Sequence, residues 1–314
     1  MIVRGLVFFL ITLLATVTCN ILENPLGYSS SLEIVHLFYG QFPVGIAVSA
    51  SGRKFTCYPA GFDEQNTNNG TNNAIQVSEL TTFDSETPYP NAAINDPPNG
   101  SIDFSGPYPR TRGLSNYFLE RDLSVTGTPG FVPFVYGDPV YTIQRSSSGE
   151  IVGVEFITIG VGGVALSPDT DTLYYSAADG RYLFSVPTAL LRNRFTPGPE
   201  IVGSVRNLGE KGWSAAIVSD SLGFVYGGNF EQDGVFVFDP RTGFAVLLVR
   251  DKMINFVSRF SVGEDGYLYF VVNQLHSLPA FYPGRGELGQ DRRQKPYVVF
   301  RIKLPGNATK GPGS

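Results

Sequence analysis

The chain has 314 residues, a net charge of −5 and only 16% charged residues. Such a balance lacks the sustained basic face that nucleic acid or an anionic membrane surface requires, and the densest basic run is Arg292-Arg293-Gln294-Lys295. Two cysteines and two histidines exclude a disulfide framework and a histidine-rich metal centre.

Residues 1–19 read as a secretory signal peptide. Arg4 gives a positive start, residues 6–17 form an apolar run, and Val17 and Cys19 are small enough for cleavage before Asn20. The run is too short to span a bilayer comfortably, and no later segment approaches that length. A soluble, extracellular product is therefore expected, with no membrane partner after cleavage. Only Cys57 then remains, without an intramolecular partner, and its apolar alternation predicts a small core residue.

The first strand signal is a two-part phrase. Ile46-Ala47-Val48 runs into the turn Ser49-Ala50-Ser51-Gly52, and Phe55-Thr56-Cys57-Tyr58 follows. The phrase returns as Val164-Ala165-Leu166-Ser167-Pro168-Asp169 before Leu173-Tyr174-Tyr175, and as Ala216-Ile217-Val218-Ser219-Asp220 before Phe224-Val225-Tyr226. A last copy reads Phe260-Ser261-Val262-Gly263-Glu264-Asp265-Gly266 before Tyr267-Leu268-Tyr269-Phe270. Anchored on Ser49, Ser167, Ser219 and Gly263, the steps are 118, 52 and 44 residues. The last two fit one four-stranded propeller blade of about 40–50 residues, and the first is too long for one.

Between the first two copies, residues 59–130 are strand-poor, with a confident strand only at 74–80. The sequons at Asn69, Asn99 and Asn307 lie in polar, turn-rich stretches, which makes them candidate glycosylation sites. Gly160-Val161-Gly162-Gly163 lacks the lysine and strand–turn–helix context of a phosphate loop and reads as a tight turn. Third strands follow each aromatic strand at 182–186, 235–238 and 298–302, with a fourth at 245–249 and a short helix at 188–192. The predicted innermost strands are 162–166, 214–218 and 257–262. Residues 305–314 read as a flexible tail.

The stretch Leu166-Ser167-Pro168-Asp169, Leu173-Tyr174-Tyr175 and Arg181-Tyr182-Leu183-Phe184-Ser185-Val186-Pro187-Thr188-Ala189-Leu190-Leu191-Arg192 resembles the signature of the major royal jelly protein/yellow family. Residues 214–239 and 257–273 resemble its next two blades. Residues 91–103 and 131–141 resemble fungal members. The resemblance covers most of 40–303 and implies an all-β fold, a secreted six-bladed propeller spanning residues 20–304. Members carry further strands where this chain has residues 116–130. About four blades are recognisable, so the propeller is expected to be incomplete.

Enzyme signatures are sparse. No Gly-x-Ser-x-Gly elbow occurs, and neither catalytic nor metal-binding residues nor a cofactor are predicted. The resemblance points to Asn273, which matches an Asn that contacts biogenic amines in insect relatives; the structural alternative is a strand cap. Phe256, Arg259, Asn229 and Trp213 are weaker candidates for the same mouth, and His276 reads as a loop residue. The preferred reading is a small-molecule binder, with an aromatic amine held in the central channel by an amide and by cation–π attraction. The alternatives are a propeller enzyme, either dopachrome-converting or a metal-dependent lactonase, and an extracellular structural or storage protein.

Overall fold

The structure is a computed structural model, and it describes residues 31–59, 63, 66, 75–95, 130–135, 137–157 and 160–312. The predicted signal peptide, the sequons at Asn69 and Asn99, and much of the strand-poor stretch lie outside the described residues. Strand β1 (Leu32–Phe38) comes first, followed by a meander of β2 (Ala47–Val48), β3 (Lys54–Cys57), β4 (Val77–Leu80) and β5 (Glu86–Pro88). A single helical turn, α1 (Ala92–Asn95), ties this sheet down. The Asn95 Oδ1 accepts from the backbone N–H of Gln76 (3.0 Å) and Val77 (2.8 Å), and its Nδ2 donates to the Tyr89 carbonyl at 2.7 Å.

A hairpin of β6 (Phe134–Val135) and β7 (Asp138–Pro139) precedes β8 (Tyr141–Arg145) and β9 (Ile151–Glu155). The second four-stranded sheet holds β10 (Val161–Leu166), β11 (Thr172–Ala177), β12 (Tyr182–Pro187) and, after helices α2 (Thr188–Arg192) and α3 (Gly198–Ser204), β13 (Arg206–Glu210). The third holds β14 (Ile217–Ser219), β15 (Val225–Asn229), β16 (Gly234–Asp239) and β17 (Phe244–Arg250). The fourth begins with β18 (Val257–Val262) and β19 (Tyr267–Val272). After β20 (Phe281–Tyr282), which leaves to pair with β8, it continues with β21 (Tyr297–Lys303) and closes on β1.

Four antiparallel four-stranded sheets thus stand among the described residues, each wound in the order of a propeller blade. The inner strands β10, β14, β18 and β2 touch in that succession, so the sheets follow one another about an axis. The fourth sheet joins the chain's first described strand to its last, with Leu32 opposite Ile302 and Phe38 opposite Tyr297.

The repeated phrase has a physical basis. At the β14–β15 turn the buried Asp220 carboxylate accepts from the N–H of Leu222 (2.9 Å) and Phe224 (3.0 Å) and from the Tyr226 hydroxyl (2.8 Å). Asp265 binds the Tyr269 hydroxyl at 2.6 Å in the next blade. In the β10–β11 turn the Ser167 Oγ donates to Asp169 at 2.5 Å and accepts from the Thr172 N–H at 2.9 Å. Short polar side chains hold each turn, and in two blades the aromatic strand reaches back to the same carboxylate.

Two expectations need correction. Gly162 and Gly163 lie inside β10 and are not a tight turn: a Cβ on Gly163 would sit 2.7 Å from the Ile217 nitrogen of β14, so only glycine lets the two inner strands approach. Residues 305–312 are docked, where the sequence predicts a loose tail. Ala308 is buried, Lys310 forms a backbone β-bridge with Asp220, and the Ser221 N–H donates to the Thr309 carbonyl at 3.0 Å. Asn307 itself is exposed at this corner, with φ of 55°. Among the described residues, no helix is long and apolar enough to cross a membrane.

Candidate functional site

The turns between second and third strands, and the connections from one sheet to the next, meet at one end of the inner strands. There the third and fourth sheets contribute a column of rings. Phe230 and Phe256 stack with centroids 4.1 Å apart, and Phe256 continues onto His276 at 5.7 Å. Trp213 meets the column edge-on, 4.8 Å from Phe230 and 5.9 Å from Phe256. Its indole N–H donates to the Ala178 carbonyl at 2.5 Å, which joins the column to the second sheet. All four rings are buried. Val135, Val140 and Ile157, from the segment before β10, belong to the same apolar core.

Phe256 adopts φ of +70°, a left-handed conformation that is a genuine outlier for an aromatic residue. Asp233 (φ 52°) and Gln274 (φ 58°) are likewise left-handed at the same end. Unpartnered polar atoms gather there too. Asp179, Asn229, Asp233, Asn255 and His276 each carry one buried polar atom without a hydrogen-bond partner, and Ser176 near the end of β11 carries a sixth.

Asn273 is fully buried. Its Nδ2 donates to the Pro43 carbonyl at 2.8 Å and its Oδ1 accepts from the Leu275 N–H at 3.2 Å, which is the strand-capping arrangement. Phe256 and Trp213 come together in the aromatic column. Asn229 lies against Gly212, just before Trp213, and donates to the Gln232 side chain at 3.1 Å. Arg259 stands apart on the inner strand β18. It is exposed to solvent yet surrounded by protein, so desolvation lowers its pKa, and it donates to the Ser258 carbonyl at 3.0 Å. Cys57 is half-buried with its Sγ over Gly45, and burial raises its pKa.

His276 is not an open loop residue: it sits in a 3₁₀ turn, buried against Phe256. Burial pushes its pKa down to about 4, so the imidazole is neutral in the folded protein at neutral pH. The unfolded chain takes up this proton near the ordinary value of 6.5. The stability held by neutral His276 is therefore complete above that value and is lost as pH falls towards 4. His276→Phe is expected to be less acid-sensitive than the wild type, the two melting curves diverging below pH 6.5; parallel acid profiles would contradict this.

Beside His276 lies a cleft of about 390 Å³, within the range of small-molecule sites. Val135 and Asp138 form one side; Ser277, Arg285 and Arg292 form the other. None of the sequence-predicted binding residues lines it, because its walls come from β6–β7 and from the insertion between β19 and β21. The one hint in the sequence was the basic run containing Arg292. Among the described residues, no three His, Cys, Asp or Glu side chains converge as a metal site.

The sheets and this mouth define a β-propeller with its candidate site on the loops at one end. Residues 138–282 match the family model described as "Major royal jelly protein", which supports that family for this stretch. No curated protein matches the chain in sequence. Among solved structures it is similar to a luciferin-regenerating enzyme, at 12% identity with 89% of this chain and 96% of that one covered and a TM-score of 0.40. It is also similar to virginiamycin B lyase from Staphylococcus aureus, at 12% identity, 87% and 99% coverage and a TM-score of 0.38. A gluconolactonase from Xanthomonas campestris matches at 11% identity, 88% coverage of both chains and a TM-score of 0.34.

Proposed function

We propose that the chain is a secreted, yellow/major royal jelly-like propeller that binds a small organic molecule at the mouth of its ring. The observation that carries this reading is the mouth itself: a buried aromatic column that ends on His276, with a cleft of ligand size against that ring. Strained backbone at Phe256 supports it, since left-handed non-glycine residues cluster at ligand sites. Secretion rests on the apolar run at residues 6–17. The buried Asn273 is spent on Pro43, which leaves the cleft beside His276 as the place where a ligand fits.

Thermal unfolding of the full chain against a mixed panel of aromatic amines, aromatic carboxylates and neutral aromatics tests the reading. A ligand specific to the folded state raises the melting temperature saturably. Ser277→Phe, which fills the cleft, is expected to abolish that rise, whereas Asn273→Ala lowers the baseline stability and leaves the rise in place. If no compound shifts the transition, the protein is a structural component. Turnover of a lactone would place it among enzymes.

A further inference from the structure

The charge on the cleft wall selects the kind of molecule it takes. Arg292 is half-buried and forms no ion pair among the described residues. Its two terminal nitrogens donate to backbone carbonyls of its own loop, to Gln290 at 3.1 Å and to Glu287, and its backbone N–H donates to the Ser277 carbonyl at 2.9 Å. The guanidinium is thus held in place by neutral partners that leave its charge uncompensated. Asp291, the acid next to it in the chain, is taken by Arg293, which also forms a buried ion pair with Asp63. Of the basic run that stands out in the sequence, Arg293 is consumed by this structural pair and Lys295 by the Gly40 carbonyl, so Arg292 alone is left facing the cleft.

Arg285 stands at the rim, largely exposed, and pairs with Asp138 across the cleft at 2.5 Å. An exposed pair of this kind is weak and exchanges readily. The lining therefore carries two guanidinium groups against one carboxylate, and the Ser277 Oγ lies 3.2 Å from His276 Nε2. Val135, the His276 ring and Pro283 supply apolar wall.

We propose that this cleft binds a small organic anion, a carboxylate or phosphate on an apolar body, with Arg292 as the fixed charge and Arg285 drawn from Asp138 to the bound group. The inference rests on the proposed binding role and names the ligand class for it. An ammonium ligand is disfavoured, because it would meet Arg292 and find Asp138 already paired. Arg292 acts on a preset fork, so little further ordering is needed when an oxyanion arrives.

The test uses ligands of like shape and opposite charge on the full chain. Phenylpropionate and phenethylamine share a phenyl ring and a two-carbon arm; phenyl phosphate separates phosphate from carboxylate recognition. Calorimetric titration at low salt is expected to show binding of one or both anions and none of the amine, weakening as salt rises. Arg292→Gln, which keeps donors but removes the charge, should weaken anion binding by about tenfold or more. Asp138→Asn should strengthen it by about two- to fivefold, because Arg285 is then free. This variant has the opposite sign, so loss of folding cannot imitate it. If phenethylamine binds and the anions do not, binding at the mouth stands and the anion assignment falls. If all three fail to bind while another panel compound does so at Ser277, the anion assignment again falls alone. If no compound binds at all, both fall. Anion binding unaffected by both variants also overturns the proposal.

Discussion

Lys211→Met is expected to stabilise the protein at pH 6 and to have lost that advantage near pH 10. Lys211 is buried between the second and third sheets. Its Nζ donates to the Gly212 carbonyl at 2.9 Å and lies 5.8 Å from the Phe236 ring centroid. Desolvation pushes its pKa down to about 7 from 10.5, opposed only in part by Glu231. Below pH 7 both folded and unfolded chains hold the proton, and the folded state bears the whole cost of a buried ammonium. Between pH 7 and 10.5 the unfolded chain holds a proton that the folded chain has released, so stability rises with pH. Above that range the cost is gone. At about 1.4 kcal/mol per pH unit the window amounts to roughly 3–5 kcal/mol. Methionine matches the stem without the charge, at the loss of one hydrogen bond worth about 1 kcal/mol. Thermal melts of both proteins from pH 6 to pH 10 should converge with rising pH; a constant offset would show that the lysine is not carrying a buried charge.

Asp220→Ala should be among the most damaging single changes in the fold, at about 3–5 kcal/mol. It removes a buried carboxylate that accepts from two backbone N–H groups and from the buried Tyr226 hydroxyl. The same turn also docks the C-terminal residues through the backbone β-bridge of Asp220 with Lys310 and through Ser221, whose Oγ accepts from the Thr309 N–H. Tyr226→Phe leaves the two backbone bonds in place and is expected to cost about 1–2 kcal/mol. The double variant should cost less than the sum, because both changes remove the same hydroxyl–carboxylate bond. Strict additivity in denaturant unfolding would mean that the tyrosine and the turn are independent, against the geometry.

The repeat was legible because its cause is local. A strand, a Ser/Asp/Gly turn and an aromatic strand each leave a short-range mark: alternation, a side chain that bonds to its own turn, a tyrosine four or six residues beyond the acid. The helix at Thr188–Arg192 and the third strands were visible for the same reason. The candidate site was read less well. Phe256 and Trp213 share the aromatic column, the Asn273 N–H donates to the Phe256 carbonyl, and Asn229 lies beside Gly212. Their chemistry there follows from contacts far away in sequence: Asn273 answers to Pro43, and Trp213 to Ala178. The cleft was missed because Asp138 on β7 and Arg285 in the insertion before β21 lie far apart in the chain, and no local pattern records that pairing.

The sequence by itself determined the blades, since hydrogen bonds within a meander join neighbours in the chain and their residues must alternate to suit. The stretch that matches the family model, residues 138–282, likewise carries a local motif. Only the tertiary structure decided how the sheets close and what the site presents. β1 shows no copy of the phrase, yet it completes the fourth sheet against β21 because that edge would otherwise be unpaired. Likewise, which arginine of the basic run keeps an uncompensated charge depended on which carboxylates the fold brought within reach. Asp63 and Asp291 went to Arg293, and Arg292 was left to face the cleft.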